Sequence, residues 1–143
     1  MLEPFGCELV RSARSARPGD AGPAVHPVRE LPSLLPAADA VVLCAPPTEE
    51  TRGMFGAHRP ASLKDGATLV NVGRGELVDT DALTRKVGSG RLRAALDVAA
   101  LEPLPGAHPL WRQPEALITP HAGTFTDASA KDSATFLPRR SWR

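Results

Sequence analysis

At 143 residues, 42% of them hydrophobic, the chain can bury the core of one domain, and a formal charge of +1 gives no pull toward nucleic acid or a membrane surface. Cys7 and Cys44 form no Cys-x-x-Cys pair and the histidines are scattered, so the spacing of a metal site is missing and no metal is expected. Without a signal peptide or an apolar run of about 18 residues, a cytoplasmic, reducing setting is expected.

Met1 to Gly6 reads as the end of a helix with Gly6 as its left-handed cap, and Cys7 to Arg11 as a short buried strand. Arg11 to Arg17 (RSARSAR) admits two readings. One is a solvated basic loop; the other is a phosphate site, because guanidinium and hydroxyl groups together satisfy a dianion. Residues 18–29, rich in Pro, Gly and Ala, read as a connecting loop, and Glu30 to Ala38 as a short helix limited by Pro32 and Pro36. Asp39 leads into a continuous apolar strand, Ala40 to Cys44, whose thiol is expected to be buried and inert. Pro46-Pro47 breaks it, Thr48 can cap a turn of helix through Phe55, and Ala57 to Lys64 reads as a second helical piece.

The stretch Leu69 to Asp79 (LVNVGRGELVD) is the most informative. Its apolar run from Thr68 to Asn71 suits a buried parallel strand, and Gly73 and Gly75 allow positive φ and close approach, which puts Arg74 on a tight turn. Asp79 to Val87 is the clearest helix, capped by Asp79 or Thr80, with Leu83 and Val87 on one face and Gly88-Ser89-Gly90 as its stop. Arg93 to Val98 reads as a strand, residues 101–115 as a proline-rich loop holding Trp111, and Ala116 to Thr119 as a final strand. From Lys131 onward no apolar period is visible, as in a frayed terminus. Alternating strands and helices predict an α/β parallel sheet covered on both faces.

Arg74 stands three residues past Asn71, Glu102 five past Asp97 and His121 two past Thr119. Parallel strands end at one edge, which is where open α/β sheets bind ligands, so these three residues can meet there. In such a cleft the arginine can clamp a carboxylate, the histidine can exchange a proton near neutral pH, and the glutamate can hold the ring and favour its charged form.

Three blocks in order carry a family resemblance: Ala38 to Gly56 (ADAVVLCAPPT and onward), Leu63 to Asp79, and Ala95 to Gly123 with ALDV, LEPLP, HPLW and ITPHAG. Through them the chain resembles the D-isomer-specific 2-hydroxyacid dehydrogenases. The resemblance implies a partial Rossmann-type, doubly wound parallel sheet over residues 1–128, lacking its first strand and Gly-rich loop, with 129–143 a divergent, frayed tail. It assigns His121 as proton donor to the keto oxygen, Glu102 as its support, and Arg74 as the clamp on the 2-oxo acid. It assigns cofactor contacts to Ala45, Pro46, Thr51, Val72, Gly73, Arg74, Asp97, His121 and Gly123.

Where many NAD-using members carry an acidic residue, this chain has Ala13 followed by Arg14-Ser15, so NAD(P) is expected with a leaning to NADP. The implied substrate is a small 2-hydroxy or 2-oxo acid, and an intact version is expected to form a homodimer. The missing first strand is expected to leave a gap with unpaired backbone groups and exposed apolar edges. On its own the chain is expected to be an inactive fragment of a longer gene. The alternative is a non-catalytic remnant or partial nucleotide-binding or interaction module.

Overall fold

The structure is a computed structural model that describes residues 3–18 and 24–123, so the expected frayed tail lies outside the described residues. Its strands are β1 (Arg11–Ala13), β2 (Val25–Pro27), β3 (Ala40–Leu43), β4 (Thr68–Asn71), β5 (Arg93–Leu96) and β6 (Ala116–Ile118). The helices are α1 (Leu31–Leu34), α2 (His58–Ser62) and α3 (Thr80–Gly88), with short 3₁₀ turns elsewhere. All strand pairs are parallel, and they form two sheets: β1 with β2, and β3-β4-β5-β6 in sequence order. The fold is α/β and Rossmann-like, and the sheet is interrupted between β1 and β3, the place of the expected gap.

One core holds the larger sheet. Leu43, Leu69, Ala94 and Leu96 line up on one face, beneath Leu35, Phe55, Leu63, Leu83, Val87 and Leu110. Burying a leucine this fully contributes about 1.5–3 kcal/mol. On the opposite face Val42, Val70, Ala95 and Leu117 stand in register across all four strands. Val42 is 57% and Leu117 65% exposed, so among the described residues the core covers one face rather than both.

Local chemistry explains most elements. Asp79 caps α3 by accepting the Ala82 amide at 2.9 Å, and Leu83 and Val87, one turn apart, enter the core. Gly90, at φ 71°, turns the chain out of the helix. The Arg91 guanidinium then binds the C-terminal carbonyls of α2, with Pro60 at 3.1 Å, Ala61 at 2.9 Å and Leu63 at 2.5 Å. A short helix thereby satisfies carbonyls that would otherwise lack partners.

Five expectations need correction, and the connecting loop expected over residues 18–29 is one, since it contains β2 (Val25–Pro27). The first strand runs from Arg11 to Ala13, whereas residues 7–10 are exposed and outside any strand. Thr48 caps no helix: residues 49–54 are turns, since the amides of Gly53 and Phe55 bond to the distant carbonyls of Glu76 and Leu77. Glu30 to Ala38 is a broken helix, with α1 flanked by 3₁₀ turns at Val28–Glu30 and Leu35–Ala37 around its prolines. Cys44 is exposed, because it follows the last residue of a strand whose other side has no neighbouring strand among the described residues.

Candidate active site

The Arg74 turn is built from below by Asn71. This buried side chain donates to the Arg74 carbonyl at 2.9 Å and accepts the Gly73 amide at 3.1 Å, so one amide closes the turn over the end of β4. Neither flanking glycine has positive φ, which corrects that part of the expectation; close approach is what requires them. A Cβ on Gly73 would lie 3.0 Å from the Ala45 carbonyl oxygen, and one on Gly75 only 1.9 Å from the Ala99 backbone. The Arg74 turn is thus pressed against the segment that leads to Glu102. Arg74 itself is exposed and donates from Nη1 to the Gly73 carbonyl at 2.8 Å.

Glu102 and His121 meet directly. His121 Nδ1 lies 2.8 Å from Glu102 Oε2, with the side chains 37% and 41% exposed. The other carboxylate oxygen accepts the Ala99 amide at 3.2 Å. The hydrogen bond from His121, helped by that amide and by the charge of Arg74, holds the Glu102 carboxyl below its ordinary 4.5. An ionised carboxylate only accepts, so Nδ1 donates and Nε2 is directed away from it.

Asp97 secures the turn that carries His121. Its Oδ1 accepts the Thr119 hydroxyl at 2.5 Å and the Ala122 amide at 2.8 Å, and its Oδ2 accepts the Gly123 amide at 2.8 Å. Its backbone carbonyl takes the His121 amide at 2.9 Å. These contacts hold His121 at φ 54°, a left-handed conformation unusual for a non-glycine residue. They also draw the Asp97 carboxyl below its ordinary 3.8, the Thr119 hydroxyl first, then the two amides and the charge of His121.

A carboxylate lowered on folding adds stability above its ordinary value and loses it as pH falls through the lowered one. Acid titration is therefore expected to release the His121 turn below the ordinary 4.5 and 3.8 of Glu102 and Asp97, with little change at neutral pH. The Ala122 and Gly123 amide signals report it by NMR. Shifts that stay constant to about pH 2 would contradict this coupling.

The remaining predicted residues border the same edge. Ala45 abuts Gly73, and the Val72 amide bonds to the Leu43 carbonyl at 3.1 Å, leaving the Val72 side chain exposed. The Thr51 hydroxyl donates to the Pro46 carbonyl at 2.7 Å and accepts the Thr48 amide at 2.7 Å, so it braces the turn after β3. Arg14, one residue past β1, pairs with Glu50 in that turn at 2.9 Å. Ser15 is exposed beside it. Sequence reasoning passed over Asn71 and Thr119 as positioning groups. Their signal was a polar residue closing an apolar strand.

Comparison with known proteins identifies the family. The family described as D-isomer specific 2-hydroxyacid dehydrogenase, NAD binding domain, matches residues 1–123. Glyoxylate/hydroxypyruvate reductase B of Citrobacter koseri is 46% identical over 98 residues, 68% of this chain and 30% of that protein. Formate dehydrogenase 2, mitochondrial, of Oryza sativa subsp. japonica is 36% identical over 137 residues, 93% of this chain and 36% of that protein. The crystal structure of the NADPH-dependent glyoxylate/hydroxypyruvate reductase of Sinorhizobium meliloti, in its apo form, superposes with a TM-score of 0.81 at 30% identity. That match covers 90% of this chain and 67% of the reductase chain. The chain belongs to the D-isomer specific 2-hydroxyacid dehydrogenase family, through part of its NAD binding domain. It spans 30% and 36% of the length of the two curated relatives.

Proposed function

We propose that the carboxyl edge of β3 to β6 binds NADP(H) and serves interconversion of a small 2-hydroxy acid and its 2-oxo acid. The observation that carries this reading is the 2.8 Å contact of His121 with Glu102 beside the Arg74 turn. The residues suit a dinucleotide: Gly73 gives a surface without a side chain between Ala45 and Arg74, and the exposed Val72 offers an apolar platform. When bound, the nicotinamide supplies or accepts the hydride. His121 holds on Nε2 the proton destined for the keto oxygen and takes it back in the reverse direction. Glu102 fixes the ring and opposes the imidazolium charge. Arg74 offers its guanidinium fork to the substrate carboxylate. In this reading Asp97 acts largely through the His121 turn, because three hydrogen bonds already engage its carboxylate.

The preference for NADP rests on Arg14 and Ser15. The Arg14–Glu50 pair is exposed on both sides, and an exposed pair contributes about 0.2–1 kcal/mol, so a phosphate dianion can displace Glu50. Titration of the chain with NADPH and NADH, followed by nicotinamide fluorescence, is expected to give tighter binding of NADPH. Equal or tighter binding of NADH would overturn the preference.

A second reading, a nucleotide-binding or interaction module without turnover, is favoured by the interruption between β1 and β3. A chimera separates the two. Residues 1–123 replacing the matching part of the Sinorhizobium meliloti reductase are expected to sustain NADPH-dependent reduction of glyoxylate. A folded chimera that binds NADPH without turning over would favour the second reading.

A further inference from the structure

The guanidinium of Arg74 has a carboxylate on each flank. Gly73, Gly75 and Leu77 are buried, whereas Arg74 and Glu76 are exposed, so both charged side chains stand on the solvent side of one turn. Arg74 is the N-cap of the 3₁₀ turn Gly75–Leu77, and Glu76 is that turn's second residue. A cap side chain lies beside the second and third residues of the turn it opens, which is how capping groups reach their amides. Glu76 is therefore within reach of Arg74, and arginine–carboxylate pairs are strong and often bidentate. On the other flank, the charge of Arg74 helps to lower the Glu102 carboxyl.

Both carboxylates are engaged elsewhere. Glu102 accepts from His121 at 2.8 Å and from the Ala99 amide at 3.2 Å. Glu76 Oε1 lies 2.7 Å from Arg52 Nη1. The backbone brings Arg52 to that position. The amides of Gly53 and Phe55 donate to the carbonyls of Glu76 at 2.7 Å and Leu77 at 2.8 Å, and Phe55, 1% exposed, anchors the segment in the core. Arg74 meanwhile donates to the adjacent Gly73 carbonyl at 2.8 Å, and among the described residues no carboxylate pairs with it.

We propose that Arg52 is a positioning residue that acts through Glu76: it holds this carboxylate away from Arg74 and so keeps the guanidinium open to the carboxylate of a 2-oxo acid. The inference rests on the reading of Arg74 as the substrate clamp. Without Arg52, Glu76 becomes an internal competitor, tethered two residues from the guanidinium and therefore at high effective concentration. The Arg52–Glu76 pair is exposed, 62% and 44%, so its loss is expected to weaken carboxylate binding about two- to fivefold rather than abolish it. A pair that only braced the two turns would behave differently, because removing either partner, or both, would then do the same damage.

The test is modification of Arg74 by phenylglyoxal in the full chain, followed by mass spectrometry, with oxamate, a 2-oxo acid analogue, as the protecting ligand. Arg52→Gln is expected to slow modification of Arg74 about two- to fivefold and to raise the oxamate concentration for half protection by a similar factor. Glu76→Gln alone is expected to stay at the parental values, and Arg52→Gln combined with Glu76→Gln to return to them, with circular dichroism spectra unchanged throughout. If Arg52→Gln unfolds, Arg52→Met keeps much of the stem without the charge and is expected to give the same result. Unchanged reactivity and protection in the Arg52 variant would overturn the proposal. So would a double variant, or Glu76→Gln alone, as impaired as Arg52→Gln, since Arg52 would then be a brace. Those two failures leave the clamp standing. Absence of oxamate protection from the parent and every variant would instead refute Arg74 as the clamp, and the proposal with it.

Discussion

Replacing His121 with Asn is expected to lower glyoxylate reduction by the chimera by a factor of about 10²–10⁴, the usual loss on removing a positioned acid–base group. Asparagine suits the test because it tolerates the left-handed backbone that His121 adopts at φ 54°. The amide bond to the Asp97 carbonyl, 2.9 Å, is a backbone contact and survives the change. Structure and NADPH affinity are therefore expected to persist, with stability within about 0.5 kcal/mol of the parent. Undiminished turnover would remove His121 from the chemistry, and with it the reason to read Glu102 as its support.

Gly75→Ala is expected to have the largest structural effect of any single methyl group added at the site. The new Cβ would lie 1.9 Å from both the carbonyl carbon and oxygen of Ala99 and 2.4 Å from the Ala100 amide nitrogen. All three are backbone atoms, so no side-chain rotation relieves the contact. Overpacking ordinarily costs about 1–3 kcal/mol, and this collision belongs at or above the top of that range. Such a loss is a large share of a stability of about 5–15 kcal/mol. Relief would also push the Arg74 turn away from the Glu102 segment, so NADPH binding should weaken along with folding. Gly106→Ala, where a Cβ meets nothing within 4 Å, serves as the control and is expected to stay within about 0.5 kcal/mol. Urea denaturation of both variants decides the matter; equal midpoints would show that the two loops are not in contact.

Periodicity and caps made part of this fold legible. Thr68–Asn71 is the strand its apolar run predicts, and Asp79 caps a helix whose Leu83 and Val87 face the core. Arg74, Glu102 and His121 could be brought to one edge because each follows a strand, and all strands within the larger sheet run parallel. Other features depend on distant partners and leave no local trace. The turns after Thr48 follow from carbonyls of Glu76 and Leu77, more than twenty residues away. The need for glycine at Gly75 comes from the Ala99 backbone, which no reading of positions 73–75 reveals. Cys44 was misjudged for a similar reason: an apolar run implies burial only where a neighbouring strand completes it.

The sequential order of the larger sheet bears on how the chain acquires its structure. Each of β4, β5 and β6 docks on the strand immediately before it in the chain, and β1 with β2 forms its own adjacent pair. Every pairing thus closes the shortest crossover available, which keeps contact order low for a parallel sheet and the entropy of loop closure small. Among the described residues the two sheets share no ladder, so β3 to β6 and β1 with β2 are expected to open as separate units in amide hydrogen exchange.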